Sequence, residues 1–212
     1  MVTIKDIRDK TMTESKKKEA KNDLFAFYIG RPISYALTIP CLALKIKPNT
    51  ISLISLFCSI IGFCLVAFSY SINVVLLGGF FFLMWNFFDG VDGNIARFTN
   101  QTSKLGVLWD ATAGYTALVL MLFSMSISVL NIEQTYMIPG INNSYYIIMG
   151  GLSSIAVLLP RVVMHKKTII FGEDSGKAFN DKGNFSFLKI ICLNVVSPSG
   201  FMQVLIDRKS VV

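Results

Sequence analysis

Residues 89–115, DGVDGNIARFTNQTSKLGVLWDATAGY, place three aspartates between two long apolar runs. Asp89 and Asp92 end the first run, and Asp110 lies in the first turns of the second. An ionised carboxylate close to hydrocarbon is costly unless it is paired, and three carboxylates also repel one another. The stretch therefore predicts a cationic ligand and a functional site, although a lone aspartate at a helix end is usually only solvated.

The composition around this stretch is typical of a helical membrane protein. Of the 212 residues, 53% are hydrophobic and only 16% are charged, whereas soluble domains carry about 25% charge. Several apolar runs approach the ~20 residues that cross a hydrocarbon core of roughly 30 Å. The formal net charge of +7 indicates cytoplasmic loops facing anionic headgroups. We therefore expect a lipid bilayer as partner and no nucleic acid.

We predict an all-α fold, a polytopic transmembrane helical bundle with an N-terminal interfacial helix. Residues 1–23 are predicted to form a polar cytoplasmic tail, and residues 24–212 a membrane domain with its signature motif at 89–114. Within Leu24–Lys47, which glycine and prolines interrupt, about 15 residues should lie in the interface. Four spans are predicted, at 48–70, 71–98, 104–130 and 144–164, and a short fifth hydrophobic element within 187–212 is left open.

The basic residues predict the orientation of the spans. The links around Ser71 and at 131–143 contain no lysine or arginine, whereas the N-terminal tail, the link 97–104 and the stretch 161–167 are basic. Basic links favour the cytoplasmic side. The aspartates are therefore expected to open to the cytoplasm, in the cell membrane.

Helical spacing predicts that the three carboxylates converge. Asp89 and Asp92 are three residues apart and share a helix face, and Gly106 and Asp110 are four apart on the next span. The short link 98–104 should make these two spans antiparallel neighbours. Hard oxygen ligands of this kind suit Mg²⁺, Mn²⁺ or Ca²⁺.

Small and basic residues beside the carboxylates indicate chemistry on a phosphate ester. Gly93 and Ala96 continue the face of Asp89 and would let a ligand approach the backbone closely. Arg97 could hold a phosphate by charge-assisted hydrogen bonds. A cation transporter would use similar acids in the membrane, but it leaves this group unexplained.

The pattern D-x-x-D-G-x-x-A-R, eight residues, then G-x-x-x-D-x-x-x-D resembles the signature of the CDP-alcohol phosphotransferase (CDP-alcohol phosphatidyltransferase) family. The matching positions are Asp89, Asp92, Gly93, Ala96, Arg97, Gly106 and Asp110. The last signature aspartate is replaced by Gly114. PNTIS at 48–52 is also similar to the segment before the family's first span, and the resemblance covers residues 31–161.

The resemblance implies helices around a cytoplasm-facing polar cavity and a role in phospholipid biosynthesis. Such transferases move a substituted phosphate from a CDP-activated lipid to an acceptor alcohol and release CMP. The family's divalent ions, Mg²⁺ or Mn²⁺, imply metal ligation by Asp89, Asp92 and Asp110. The implied CDP-alcohol-binding residues are Asn49, Thr50, Ile51, Ser52, Gly93, Ala96, Arg97, Ser103 and Gly106. Pairing of two copies into a homodimer is left open.

Two positions leave alternatives open. Gly114 stands where the family has its general base and a metal ligand, and loss of a general base typically costs ~10²–10⁴ in rate. The resemblance is therefore compatible with an impaired transferase or with a catalytically inactive member that acts as a binding or interaction protein. Arg161, at the cytoplasmic end of the fourth predicted span, could hold a phosphorylated acceptor or could snorkel to the interface.

Overall fold

The structure, a computed structural model, describes residues 2–12, 17, 26–131 and 142–171, and every regular element in these ranges is helical. Helix α1 comprises Ile4–Thr11, and a π-helical turn at Ala26–Gly30 leads directly into α2, Arg31–Ala43. The longer helices are α3, Pro48–Ala67; α4, Ile72–Thr99; α5, Lys104–Asn131; and α6, Asn143–Phe171. This architecture confirms the all-α prediction.

The four longer helices are each long and apolar enough to cross a membrane, which confirms the four predicted spans. At 1.5 Å per residue α4 is about 42 Å long, which exceeds a hydrocarbon core of roughly 30 Å. Its first part, residues 72–88, contains no charged side chain. The polar end of α4, from Asp89 onward, can therefore extend out of the hydrocarbon. The fifth hydrophobic element within 187–212 lies outside the described residues.

Two prolines lie inside helices. Pro40 is within α2, and Pro160 is within α6, which continues to Phe171 rather than ending near residue 164. A proline removes one backbone hydrogen bond and bends a helix without obliging it to end. At 13 residues α2 matches the predicted interfacial helix in length, and its position in the membrane interface stays a prediction.

The chain separates into two compact units, of which the first contains the aspartates. In its described part this unit comprises α1, the π-helical turn, α2, the start of α3 up to Ser52, the segment Asn86–Asp110 and the last residues of α6, 167–171. The members of its apolar core are Cys41, Ile51, Val91 and Ile95, with Leu37, Leu42, Ile46 and Phe88 packed against them. This core fixes α2 and the first turn of α3 against the motif-bearing end of α4.

The second unit, Leu53–Trp85 with Ala111–Lys166, is held by close approaches of small residues. An ideal Cβ at Gly150 would lie closer than 3.0 Å to Ser126, and one at Gly78 would be as close to Val66. The Ser154 hydroxyl donates to the backbone oxygens of Gly150 and Val119, at 2.8 and 3.3 Å. Small residues and polar cross-links of this kind are typical of helix packing in membranes.

Candidate active site

The two motif aspartates of α4 are almost fully buried. Asp89 is 1% exposed and Asp92 5%, whereas Asp110 on α5 is half-buried. One helical turn separates Asp89 from Asp92, so their carboxylates lie on one face. Two adjacent buried carboxylates make an electrostatically expensive arrangement, which a bound cation would stabilise.

Ser52, in the second turn of α3, makes a direct contact with the motif. Its Oγ lies 2.6 Å from Asp92 Oδ2. Ser52 is itself only 4% exposed. A short hydrogen bond between a hydroxyl and a carboxylate is charge-assisted and stronger than a bond between neutral groups. This contact places one predicted nucleotide-binding residue against one predicted metal ligand.

Three further predicted site residues come together at the start of α5. The Ser103 Oγ accepts a hydrogen bond from the backbone N of Gly106 at 3.0 Å and so caps the helix. An ideal Cβ at Gly106 would lie 2.9 Å from Asn49 Oδ1 and 3.1 Å from Ser103 Oγ. Glycine at this position therefore allows the close approach of the Asn49 carboxamide, at the start of α3, to the start of α5.

The remaining predicted nucleotide-binding residues differ in exposure. Gly93, Ala96 and Arg97 are half-buried along α4, and Thr50 is exposed. Ile51, by contrast, is 1% exposed within the apolar core of the first unit. Its side chain packs against that core, and its contact with a nucleotide stays a prediction.

The polar contacts that hold α4 in place were not anticipated from the sequence. Asn94 Nδ2 donates to Thr38 Oγ1 at 3.3 Å, and the Thr38 hydroxyl donates to the Ser34 carbonyl at 2.6 Å. Both Asn94 and Thr38 are buried. The sequence shows Asn94 and Thr38 as polar residues near apolar ones. It does not reveal that these two side chains contact each other.

α1 contacts the C-terminal end of α4. Lys10 Nζ donates to the Phe98 carbonyl at 2.7 Å and lies 4.9 Å from the centroid of the Phe98 ring. Asn100 then adopts a left-handed φ of 55°, and the backbone N of Gln101 bonds to the Ala96 carbonyl at 2.9 Å. A cation beside the last carbonyls is favourable at a helix C-terminus, so α1 stabilises the end of the motif helix.

Arg161 is half-buried in the second half of α6. Its Nη1 donates to the Val157 carbonyl at 3.4 Å, and the Tyr115 hydroxyl lies 3.5 Å from the Arg161 carbonyl. Within the described residues its buried Nε has no hydrogen-bond partner. The side chain therefore keeps hydrogen-bonding capacity for a further acceptor.

A family model for CDP-alcohol phosphatidyltransferase matches residues 45–205. The chain belongs to the CDP-alcohol phosphatidyltransferase family. The match includes every signature position, Gly114 and Arg161. No curated protein matches the chain.

Family membership assigns a class of chemistry to the helices already described. CDP-alcohol phosphatidyltransferases carry out phosphotransfer in phospholipid synthesis and act on CDP-alcohol substrates within the membrane. Members of the family generally use a divalent metal. Together with the four apolar helices, membership indicates an integral membrane protein.

The donor chemistry of the motif fits a divalent ion, since its acids are carboxylates and two of them are buried on one helix face. Among the described residues, no group of three or more His, Cys, Asp or Glu side chains is arranged to hold a metal ion. Ligation by all three aspartates, Asp89, Asp92 and Asp110, thus stays a prediction.

Proposed function

We propose that the chain transfers a substituted phosphate from a CDP-activated lipid, CDP-diacylglycerol, to an acceptor alcohol with release of CMP. The observation that carries this proposal is the intact series of signature residues from Asp89 to Asp110 within the family match. The acceptor hydroxyl attacks the phosphorus that carries the diacylglycerol, and the bond from that phosphorus to CMP breaks. The reaction thus belongs to phospholipid biosynthesis.

In this proposal Asp89, Asp92 and Asp110 hold Mg²⁺ or Mn²⁺. When bound, such ions neutralise charge on the diphosphate and favour in-line displacement. The burial of Asp89 and Asp92 supports the assignment, because buried carboxylates gain most from a cation. Burial also excludes water from the carboxylates and strengthens their electrostatic interactions.

The CDP part of the donor is assigned to the neighbouring signature residues. Arg97 binds phosphate oxygens through charge-assisted hydrogen bonds, and half-buried Gly93 and Ala96 leave room beside them. Asn49, Ser103 and Gly106 support this assignment because the structure brings them together at the start of α5. Arg161, with its buried Nε, is assigned to a phosphorylated acceptor.

The proposed site opens to the cytoplasm. The link 97–104 carries Arg97 and Lys104, whereas the link from 68 to 71 carries no basic residue. Basic residues favour the cytoplasmic side of a membrane. CDP-activated donors and CMP would then enter and leave from that side.

A second candidate is a catalytically inactive family member that binds its ligand, and Gly114 favours it. A glycine can neither accept a proton nor bind a metal through a side chain. Without the carboxylate of the family signature, the chain would bind CDP and a metal with little or no transfer. The two candidates share the binding site and differ in turnover.

The test is CMP release by the full chain in bilayer nanodiscs. CDP-diacylglycerol is supplied with a panel of acceptor alcohols, with Mg²⁺, Mn²⁺ or a chelator. Transferase function predicts slow, metal-dependent CMP release that Asp89→Asn abolishes. CDP binding without CMP release supports the inactive binding protein, and a chain that neither binds CDP nor releases CMP contradicts both.

A further inference from the structure

The Ser52 hydroxyl has one proton to donate, and both Asp92 and Pro48 offer it an acceptor. Asp92 Oδ2 is 2.6 Å away and the Pro48 carbonyl is 3.3 Å away. The shorter contact to the charged acceptor is the stronger one. The proton therefore points to the carboxylate, and the contact to Pro48 is secondary.

Both ends of this hydrogen bond are fixed by their surroundings. Ser52 and Asp92 are 4% and 5% exposed. The residues beside them in sequence, Ile51 and Val91, belong to one apolar core. A buried serine on a rigid helix holds its hydroxyl in one direction, so the carboxylate plane of Asp92 is set by α3 as well as by α4.

We propose that Ser52 is a positioning residue that orients Asp92 for a small divalent cation and selects against a larger one. In this role Ser52 acts through Asp92, whose Oδ2 its hydroxyl contacts. This inference rests on the proposed function, which assigns Asp92 to the metal. Partners that hydrogen-bond to a metal ligand orient it and typically change metal affinity by about 10–100-fold.

The selectivity follows from the oxygen that the hydrogen bond occupies. Ca²⁺ takes six to eight oxygens and often both oxygens of one carboxylate, whereas Mg²⁺ keeps a near-octahedral shell. A hydroxyl bound to Oδ2 disfavours the use of both Asp92 oxygens by one large ion. Removal of the hydroxyl should therefore weaken binding of the small ion and improve the relative binding of Ca²⁺.

The matched control is Ser59, a buried serine further along α3. Its hydroxyl donates to the Leu56 carbonyl of its own helix at 2.7 Å. Ser59→Ala removes a buried hydroxyl of the same kind without touching a motif carboxylate. Ser52→Thr keeps the hydroxyl and serves as the conservative variant.

The experiment measures Mn²⁺ affinity by electron paramagnetic resonance on the full chain in nanodiscs, with Ca²⁺ as competitor and no substrate. We expect Ser52→Ala to weaken Mn²⁺ binding about 10–100-fold and to raise the affinity of Ca²⁺ relative to Mn²⁺. Ser59→Ala should match the wild type, and Ser52→Thr should retain most of the affinity. If Ser52→Ala fails to fold, Ser52→Cys gives the same test with a weak donor of similar size.

Unchanged Mn²⁺ affinity and an unchanged Ca²⁺ to Mn²⁺ ratio in the Ser52 variant overturn the inference. Equal losses in Ser52→Ala and Ser59→Ala also overturn it, because they indicate general destabilisation. If the wild type binds no Mn²⁺, both the inference and the metal assignment are contradicted. If the wild type binds Mn²⁺ but releases no CMP, only the proposed transferase activity is contradicted. The Mn²⁺ and Ca²⁺ affinities of the variants then still test the role of Ser52.

Discussion

Gly114 lies one turn beyond Asp110 in α5, and an ideal Cβ at this position meets no atom within 4 Å. Residues four apart share a helix face, so a carboxylate there would point in the direction of Asp110. The space to accept a side chain is already present. A change at Gly114 can therefore test chemistry without a large cost in packing.

We predict that Gly114→Asp raises CMP release by ~10²–10⁴, the usual contribution of a general base. Gly114→Ala is the control, because it adds a Cβ and improves helix propensity without adding a base or a metal ligand. CMP release from CDP-diacylglycerol is measured on all three proteins. An equal rise in the alanine variant, or a rate that aspartate leaves unchanged, would show that another residue is the base.

Arg97 provides the second prediction at the residue scale. A hydrogen bond to a charged group contributes about 1.5–3 kcal/mol, so Arg97→Ala should weaken CDP binding in the presence of Mg²⁺ by roughly 10–150-fold. Arg97→Lys keeps the charge and loses the bidentate geometry, so its affinity should be intermediate. Calorimetric titration gives all three values, and equal affinity for CDP in wild type and Arg97→Ala would contradict the assignment.

At the scale of single elements, the close approaches of glycines explain the packing of the second unit. An ideal Cβ at Gly150 collides with the Ser126 side chain, whereas one at the adjacent Gly151 meets no atom within 4 Å. Gly150 and Gly151 are adjacent in α6 and have nearly the same neighbours in sequence, but they lie on different faces of the helix.

Gly150→Ala should destabilise the protein by about 1–3 kcal/mol, the usual cost of overpacking. Gly151→Ala should leave stability unchanged or raise it slightly, because alanine favours a helix and nothing obstructs its methyl group. Thermal unfolding of both variants in one detergent compares their melting temperatures. Equal melting temperatures would mean that α6 does not approach Ser126 closely at Gly150.

The capping box of α1 predicts a pH dependence. Asp6 Oδ2 accepts hydrogen bonds from the Thr3 hydroxyl and the Thr3 backbone N, both at 2.8 Å, which lower the pKa of Asp6 below its ordinary value. A lowered folded-state pKa means that the stabilisation is present above the unfolded-state pKa and is lost as pH falls through the folded-state pKa. Acid should therefore loosen α1.

Hydrogen–deuterium exchange of the full chain tests this dependence. In the wild type, protection of the α1 amides, corrected for intrinsic exchange, should decrease when the pH falls below the ordinary range of carboxyl pKa values. Asp6→Asn should show lower protection and no such titration, because its side chain carries no proton to gain. Identical acid profiles in the two proteins would contradict a role for the Asp6 carboxylate.

At the scale of the whole molecule, the distribution of basic residues predicts which side of the membrane each link faces. Gln101, after α4, and Ser71, before it, are both exposed at opposite ends of one helix. In a background without the native cysteines, Gln101→Cys should react with an impermeant thiol reagent from the cytoplasmic side only. Ser71→Cys should react from the opposite side only, and the reverse pattern would invert the proposed orientation.

The sequence by itself determined the helices, the four spans and the family. Each of these follows from local information: runs of apolar residues long enough to cross a membrane, and signature residues such as Asp89 and Asp110 at fixed spacing. Proline did not mark the end of either helix, since α2 and α6 continue through Pro40 and Pro160.

Only the tertiary structure decided which side chains meet. It paired Ser52 with Asp92 and Asn94 with Thr38, and it placed Ile51 in an apolar core. Such contacts depend on the rotation and axial position of each helix, which result from many small packing terms spread along the chain. Local spacing fixes which residues share a face, but it does not state what that face will touch.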